Sequence, residues 1–236
     1  MALPKLATAT YELELPSSAE TIKYRPFLVK EQKVLMMASE SKDDKQIIDA
    51  VKNIIKSCTF DKVDVDNIPM FDLEYIFIKL RAKSVGETAK VTVKCPDDET
   101  TKAIVEINLD KLDMTVKEDH TNIINITDDV SLNMKYPLID DFKDFNNEKQ
   151  QDSTSLFGLI KKCIESVTEG ETVHNRIDFN NNELDEFIDS LNSNQLSKIM
   201  KFFETMPRLR HVVKVTNPKT KVESEVVIEG LANFLA

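Results

Sequence analysis

The stretch Pro69-Met-Phe-Asp-Leu-Glu-Tyr-Ile-Phe-Ile-Lys-Leu-Arg-Ala-Lys-Ser-Val-Gly-Glu87 decides how the rest of the chain is read. Proline is tolerated in the first turn of a helix, where its missing N–H has no intrahelical partner to lose. Leu73, Phe77 and Leu80 then fall on one face with Ile76 beside them, while Asp72, Glu74, Lys79 and Arg81 interrupt the apolar run. Ser84-Val85-Gly86 ends the pattern, because glycine best adopts the left-handed conformation that closes a helix. Alternation of period two begins at Glu87. The spacing therefore predicts an amphipathic helix from Pro69 to Gly86 feeding a β-unit, with Glu74, Lys79 and Arg81 on its solvent face. It shows no catalytic chemistry.

Upstream, Tyr11, Leu13 and Leu15 alternate with Glu12 and Glu14, and Thr21 to Val29 alternates again after Pro16-Ser-Ser-Ala-Glu20. The two runs read as a β-hairpin or neighbouring strands, with Pro26 at an edge or end. Lys30 to Ser39 reads as a helix. A longer one follows Asp43-Asp44, with Ile47, Ile48, Val51, Ile54 and Ile55 at three-and-four spacing.

Downstream, Ala89, Val91 and Val93 alternate into the turn Cys95-Pro-Asp-Asp-Glu99, and Ala103 to Leu109 returns as a strand. Leu112 to Val116 is a short strand candidate, and Asn122 to Thr127 with Val130 to Tyr136 forms a second hairpin around Asp128-Asp129. Pro137 marks the expected domain boundary. Beyond it, Asn146 to Asp152 reads as a linker. Ser153 or Ser155 caps a helix carrying Leu156 to Val167 and ending at Gly170. Thr172 to Phe179 is a short strand or an irregular excursion. Asn182 to Leu191 and Asn194 to Met206 are two short helices, the second capped by Ser193. Leu209 to Val215 and Val222 to Ile228 form a terminal hairpin around Asn217-Pro-Lys-Thr220, and the apolar groups of Gly230 to Ala236 tuck onto the body. The expected fold is α+β: an N-terminal helix-plus-antiparallel-β-hairpin domain over residues 1–136, then, over 137–236, a mainly helical segment ending in a β-hairpin.

The 236 residues suffice for one large or two modest cores, and 41% hydrophobic with 31% charged residues is the balance of a folded chain. No signal-peptide pattern and no apolar run of about 18 residues occurs, so the expected compartment is cytoplasmic, or a particle assembled there. Cys58, Cys95 and Cys163 are odd in number and far apart, which reads as free, buried thiols rather than a disulfide framework. The net charge of −10 is uneven: residues 1–86 balance, 87–136 carry −5, 137–206 carry −7, and the last thirty carry +2. Without a basic stripe the chain is a poor nucleic-acid binder, and the acidic surface serves solubility or a basic protein partner.

Motifs of known chemistry are missing from the sequence. The four glycines are isolated, with no phosphate-cradling loop, no Gly-x-Ser-x-Gly elbow and no His-Glu-x-x-His helix. His120, His174 and His211 each stand alone. The pairs Asp43-Asp44, Asp97-Asp98, Asp128-Asp129 and Asp140-Asp141 sit at helix starts or turns, where aspartate caps backbone N–H groups. Asp61, Asp64 and Asp66 lack the glycine and glutamate of a calcium loop. Cys95-Pro-Asp-Asp98 is half of a zinc knuckle with Asp98 where the second cysteine belongs, and one thiolate does not hold structural zinc. Expected catalytic, metal and cofactor sites are therefore none. Lys23-Tyr-Arg-Pro-Phe-Leu-Val29 instead supplies residue types enriched at interface anchors. Tyr24, Arg25, Phe27 and Arg81 are the candidate partner contacts, with core packing the competing role for Tyr24 and Phe27.

Residues 1–110 resemble the baseplate hub protein family of T-even-type contractile-tailed bacteriophages. The resemblance is carried by Met1-Ala-Leu-Pro-Lys-Leu6, Tyr11-Glu-Leu-Glu-Leu-Pro16, Lys23 to Glu31, and above all Asp72 to Glu87, with Cys95-Pro96 and the ending Gly230-Leu-Ala-Asn-Phe-Leu235. Residues 138–206 contribute little to it. The resemblance implies Cys-x-x-Cys pairs at the hairpin tips, from which this chain departs. It supplies no catalytic residues. It implies a non-enzymatic structural or assembly role in the hub region of a contractile tail baseplate, with other baseplate or hub proteins as partners and no nucleic acid, membrane or small-molecule substrate. The location implied is the virion tail baseplate, or the host cytoplasm during assembly. One alternative is a transient hub-assembly chaperone absent from the mature tail. Another, of a different class, is a metal-dependent hydrolase with a site gathered from Asp140, Asp141, Glu165, Asp178 and His174.

Overall fold

A computed structural model describes residues 7–41, 43–98, 100–142 and 153–230. In chain order the elements are β1 (Tyr11–Glu14), β2 (Thr21–Tyr24), α1 (Val29–Ser41), α2 (Asp44–Cys58), α3 (Met70–Val85), β3 (Thr88–Lys94), β4 (Lys102–Asn108), β5 (Met114–Thr115), β6 (Ile123–Asn125) and β7 (Val130–Met134). A 3-10 turn (Ile139–Phe142) follows, then α4 (Ser153–Cys163), β8 (Ile164–Glu169), β9 (Thr172–Asn175), α5 (Asn181–Asp189), α6 (Ser193–Thr205), β10 (Arg208–Thr216) and β11 (Glu223–Glu229). The fold is α+β, and every strand pair among the described residues is antiparallel. No helix among the described residues is long and apolar enough to cross a membrane.

Contacts divide the chain into two compact units, Met1–Thr115 with Arg208–Ala236, and Val116–Pro207. The boundary expected at Pro137 falls inside the second unit, because β6 and β7 before it share one four-stranded sheet with β8 and β9 after it, β7 pairing with β8. The terminal hairpin returns to the first unit, where Leu209 of β10 pairs with Met114 of β5. The linker expected over Asn146–Asp152 and the tail beyond Gly230 lie outside the described residues.

In the first unit, α2 buries Val51, Ile54 and Ile55, as their spacing requires, and Asp43 caps it by accepting from the Lys45 and Gln46 N–H groups. α3 departs from the amphipathic pattern. Asp72 and Glu74 are buried along with Phe71, Leu73, Ile76, Phe77, Ile78, Leu80 and Ala82. Asp72 is kept inside by polar partners: the Ser17 N–H and hydroxyl reach it from the β1–β2 turn. Lys79 donates to the Asp110 and Leu112 carbonyls at 2.8 and 2.7 Å, so it pins the chain beyond β4 rather than facing open solvent. Gly86 ends α3 at φ +137 and ψ 154, extended backbone of positive φ rather than the left-handed helical well, and a region that glycine alone occupies readily. Ile78 and Ala82 then pack with Ala89, Val91, Val93, Ile107, Leu209, Val213 and Ile228 from the β3–β4 and β10–β11 hairpins.

The second unit packs α4, α5 and α6 with the β6-β7-β8-β9 sheet around Leu132, Ile160, Cys163, Ile164, Leu184, Ile199 and Phe202. Residues 164–169, expected to prolong the helix, are strand. Ile164, Val167 and Thr168 are β-branched, which favours a pleated surface over a helix, and the run pairs with β7, Leu132 opposite Val167. Gly170 at φ +56 turns the chain into β9. α5 and α6 open on capping boxes at Asn180 with Glu183 and at Asn192 with Gln195, so Asn192, not Ser193, is the second cap.

Candidate functional site

The four candidate contacts occupy different environments. Tyr24 is buried, its ring 5.6 Å from that of Tyr11. Arg25 is held by the protein itself: its guanidinium donates to Glu31 Oε1 at 3.0 Å, Ser57 Oγ at 2.9 Å and the Pro26 carbonyl at 3.0 Å. Burial alone would push the Glu31 carboxyl up, but Arg25, the Leu28 N–H and Lys30 together outweigh it and hold its pKa down at about 2. Phe27 is buried, and its N–H donates to Ser84 Oγ on α3 at 2.9 Å. Arg81 is half-buried and lines, with Phe27, a cavity of about 340 Å³ whose walls include Leu35, Met36, Glu40 and Val85.

Phe27 and Arg81 therefore meet at one groove, while Tyr24 and Arg25 sit within the surrounding scaffold. Residues flanking the groove were not singled out by the sequence. Of the thirteen residues of α1, only Glu31 and Ala38 are buried. Val29, Val34, Met36 and Met37 remain 66, 47, 56 and 70% exposed, and Val85, which lines the groove with Met36, is 58% exposed. The signal was present in Val29-Lys-Glu-Gln-Lys-Val-Leu-Met-Met37, whose apolar residues are too many and too scattered around the helix for one core-facing stripe. Methionine pairs an apolar surface with a flexible side chain, which suits a surface that must adapt to a partner.

The dispersed carboxylates and histidine converge only in part. Of the five groups considered for a hydrolase, Asp178 and His174 line one cavity. Asp141 accepts the Leu138 N–H and pairs with Lys162, and Glu165 accepts from Asn133. No group of three or more His, Cys, Asp or Glu among the described residues is arranged to hold a metal. At the knuckle-like turn, Asp98 accepts the Thr101 N–H at 2.8 Å and the Thr101 hydroxyl, closing the turn that a second cysteine would otherwise serve. Cys95, at the start of this turn, is buried; Cys58 and Cys163 are buried in their own surroundings, and burial pushes their thiols up to about 11 and 12. Such thiols are poor nucleophiles.

The geometry thus offers an exposed apolar helix and an apolar groove beside it. No curated protein and no solved structure matches the chain significantly. A family model described as "T4 bacteriophage base plate protein" matches residues 8–236, and the chain belongs to that family.

Proposed function

We propose that this protein is a non-enzymatic structural component of the hub region of a contractile phage tail baseplate, joined to other baseplate proteins through the exposed face of α1 and the Phe27–Arg81 groove. Membership of the baseplate family supports a place in the virion tail baseplate and contact with other baseplate proteins. The observation that carries the docking surface is α1 itself, a helix with four large apolar side chains in solvent at Val29, Val34, Met36 and Met37. Large apolar side chains left in solvent along one helix, beside an apolar groove, are a surface that a protein partner covers. Its occupant is a neighbouring baseplate protein, engaged through adaptable methionines and the half-buried Arg81.

Co-expression with neighbouring tail proteins and pull-down tests this reading. Val34→Ser/Met37→Ser changes only exposed side chains, so its fold is retained and capture of the partner falls at least tenfold. Undiminished capture by that variant removes α1 from the interface. Mass spectrometry of purified tails then separates a resident hub subunit from a chaperone that leaves after assembly: the protein is expected in intact tails at a fixed ratio to other baseplate proteins.

A further inference from the structure

A second surface lies in the other unit. Val130, Val167, Phe179, Leu184 and Phe187 floor a cavity of about 370 Å³, and Glu169, His174, Asp178 and Glu183 stand around it. Strand register explains the convergence: Val130 lies opposite Glu169 and Val167 opposite His174, so β7, β8 and β9 present one face toward α5. The volume is at the lower end of the range for pockets that enclose a ligand or an anchoring side chain, roughly 300–1,000 Å³.

The charge around this apolar floor is one-sided. Residues 116–207 contain 9 Lys and Arg against 18 Asp and Glu, so they carry −9 of the chain's net −10. The Glu169 side chain is exposed and its carboxylate makes no hydrogen bond or ion pair among the described residues. Asp178 and Glu183 each accept one backbone N–H, from Asn175 at 2.8 Å and Asn180 at 2.7 Å, and neither has a cationic partner there. The neighbouring cation, Arg176, lies 5.3 Å from the ring of Phe179 in the pocket wall and donates to the Phe179 carbonyl and to Asn181 rather than to these carboxylates. An apolar floor inside a ring of uncompensated carboxylates has the form of an anchor pocket whose rim selects the sign of the partner's charge.

We infer that this pocket between α5 and the β7-β8-β9 face is a docking site for a basic segment of a partner protein, which inserts one large apolar side chain and brackets it with lysine or arginine. The site is separate from the α1 surface. It rests on the reading of the chain as a partner-binding component only in that its ligand is a protein.

The chain contains no tryptophan, so a peptide Gly-Lys-Arg-Leu-Trp-Lys-Arg-Gly reports its own burial by fluorescence, and calorimetry on the full chain gives its affinity. The expected result is a blue-shifted Trp signal and binding at least tenfold tighter than that of Gly-Lys-Arg-Gly-Ser-Lys-Arg-Gly or Gly-Glu-Glu-Leu-Trp-Glu-Glu-Gly. The variant Glu169→Gln/Asp178→Asn/Glu183→Gln keeps every acceptor that the turn and the capping box use. It is expected to weaken binding at least tenfold. Glu118→Gln/Asp189→Asn/Glu204→Gln, equal in charge change but outside the pocket lining, leaves binding within twofold. Val34→Ser/Met37→Ser also leaves it unchanged, which separates this site from the α1 interface. Equal weakening by the two neutralised triples, or equal binding of the anchorless peptide, overturns the proposal and leaves only diffuse attraction to an acidic surface.

Discussion

Asp97 and Asn217, 120 residues apart, face each other across two hairpin tips: the Asn217 amide donates to both Asp97 carboxylate oxygens, at 2.9 and 3.0 Å. The Thr220 hydroxyl donates to the same carboxylate, and Asn217 Oδ1 in turn accepts the Lys219 and Thr220 N–H groups. One carboxylate and one amide thus fasten the β3–β4 turn to the β10–β11 turn, where the knuckle-like Cys95-Pro-Asp-Asp98 has a single cysteine and its counterpart has none.

Removing the amide tests this clasp. Asn217 is 1% exposed, so Asn217→Ala leaves its two turn N–H groups and the Asp97 carboxylate without their partner. The expected loss is about 1–3 kcal/mol, read from urea unfolding. The hydrogen bonds from Thr220 and Asn217 lower the Asp97 pKa in the folded state. A depressed carboxyl stabilises above its unfolded pKa, near 4, and loses that contribution as pH falls through the folded value. Asp97→Ala therefore differs most from wild type at neutral pH and converges with it in acid. A constant difference across that range counts against the clasp.

The Arg25–Glu31 pair predicts a larger effect. Both side chains are almost buried, at 12 and 7% exposure. Arg25→Ala leaves the Glu31 carboxylate inside the protein without its guanidinium partner, at a cost of about 3–5 kcal/mol. The variant is thus a probe of folding, and its effect on partner capture does not report a contact. Because the Glu31 pKa is held down at about 2, wild type loses the pair's contribution as pH falls from about 4.5 toward 2. Glu31→Gln flattens that slope in acid unfolding curves. An unchanged slope shows that other carboxylates govern it.

How much of this was legible in the sequence follows from the range of the forces involved. The hairpins at Tyr11–Tyr24, Thr88–Asn108 and Arg210–Glu229 were visible because alternation and turn chemistry are local. The switch from α4 to β8 at Cys163/Ile164 was hidden, since Leu156 to Val167 satisfies a helical period until β7 supplies a strand to pair with. Burial of Asp72 was equally hidden, because its partner Ser17 lies 55 residues away in sequence. Phe27 and Arg81 were named from composition, yet their meeting at one groove depends on how α1 lies against α3. The acidic rim of the second unit was hardest to see, because Glu169, His174, Asp178 and Glu183 come from two strands, a turn and a helix start.

His120 offers a test near neutral pH. The Thr205 hydroxyl donates to the Lys201 carbonyl at 2.8 Å, so its oxygen accepts from His120 Nδ1–H, and His120 Nε2 accepts from the Tyr136 hydroxyl at 2.9 Å. That assignment requires a neutral ring. Burial lowers the His120 pKa, outweighing Asn122 and Asp119, which favour the charged form. A depressed histidine contributes stability above its unfolded pKa, near 6.5, and loses it as pH falls through the folded value. Thermal unfolding of wild type should therefore decline below about pH 6.5 more steeply than that of His120→Gln. Parallel curves would show that the ring can be charged in place.

Asp72 runs in the opposite direction. It is fully buried, and burial raises its carboxyl pKa despite two hydrogen bonds from Ser17 that favour the anion. A carboxyl raised by folding stabilises below its unfolded pKa, near 4, and that contribution is lost as pH rises through the folded value. Asp72→Asn is a neutral side chain of the same shape, whose oxygen accepts the Ser17 N–H while its amide reaches the Ser17 hydroxyl. The variant should therefore gain on wild type between pH 4 and pH 7 in paired urea titrations. Asp72→Ala offers Ser17 nothing and should lose about 1–3 kcal/mol at either pH. If Asp72→Asn instead falls behind as pH rises, the buried anion is stabilised, and its attraction to the N-terminus of α3 outweighs the cost of burying it.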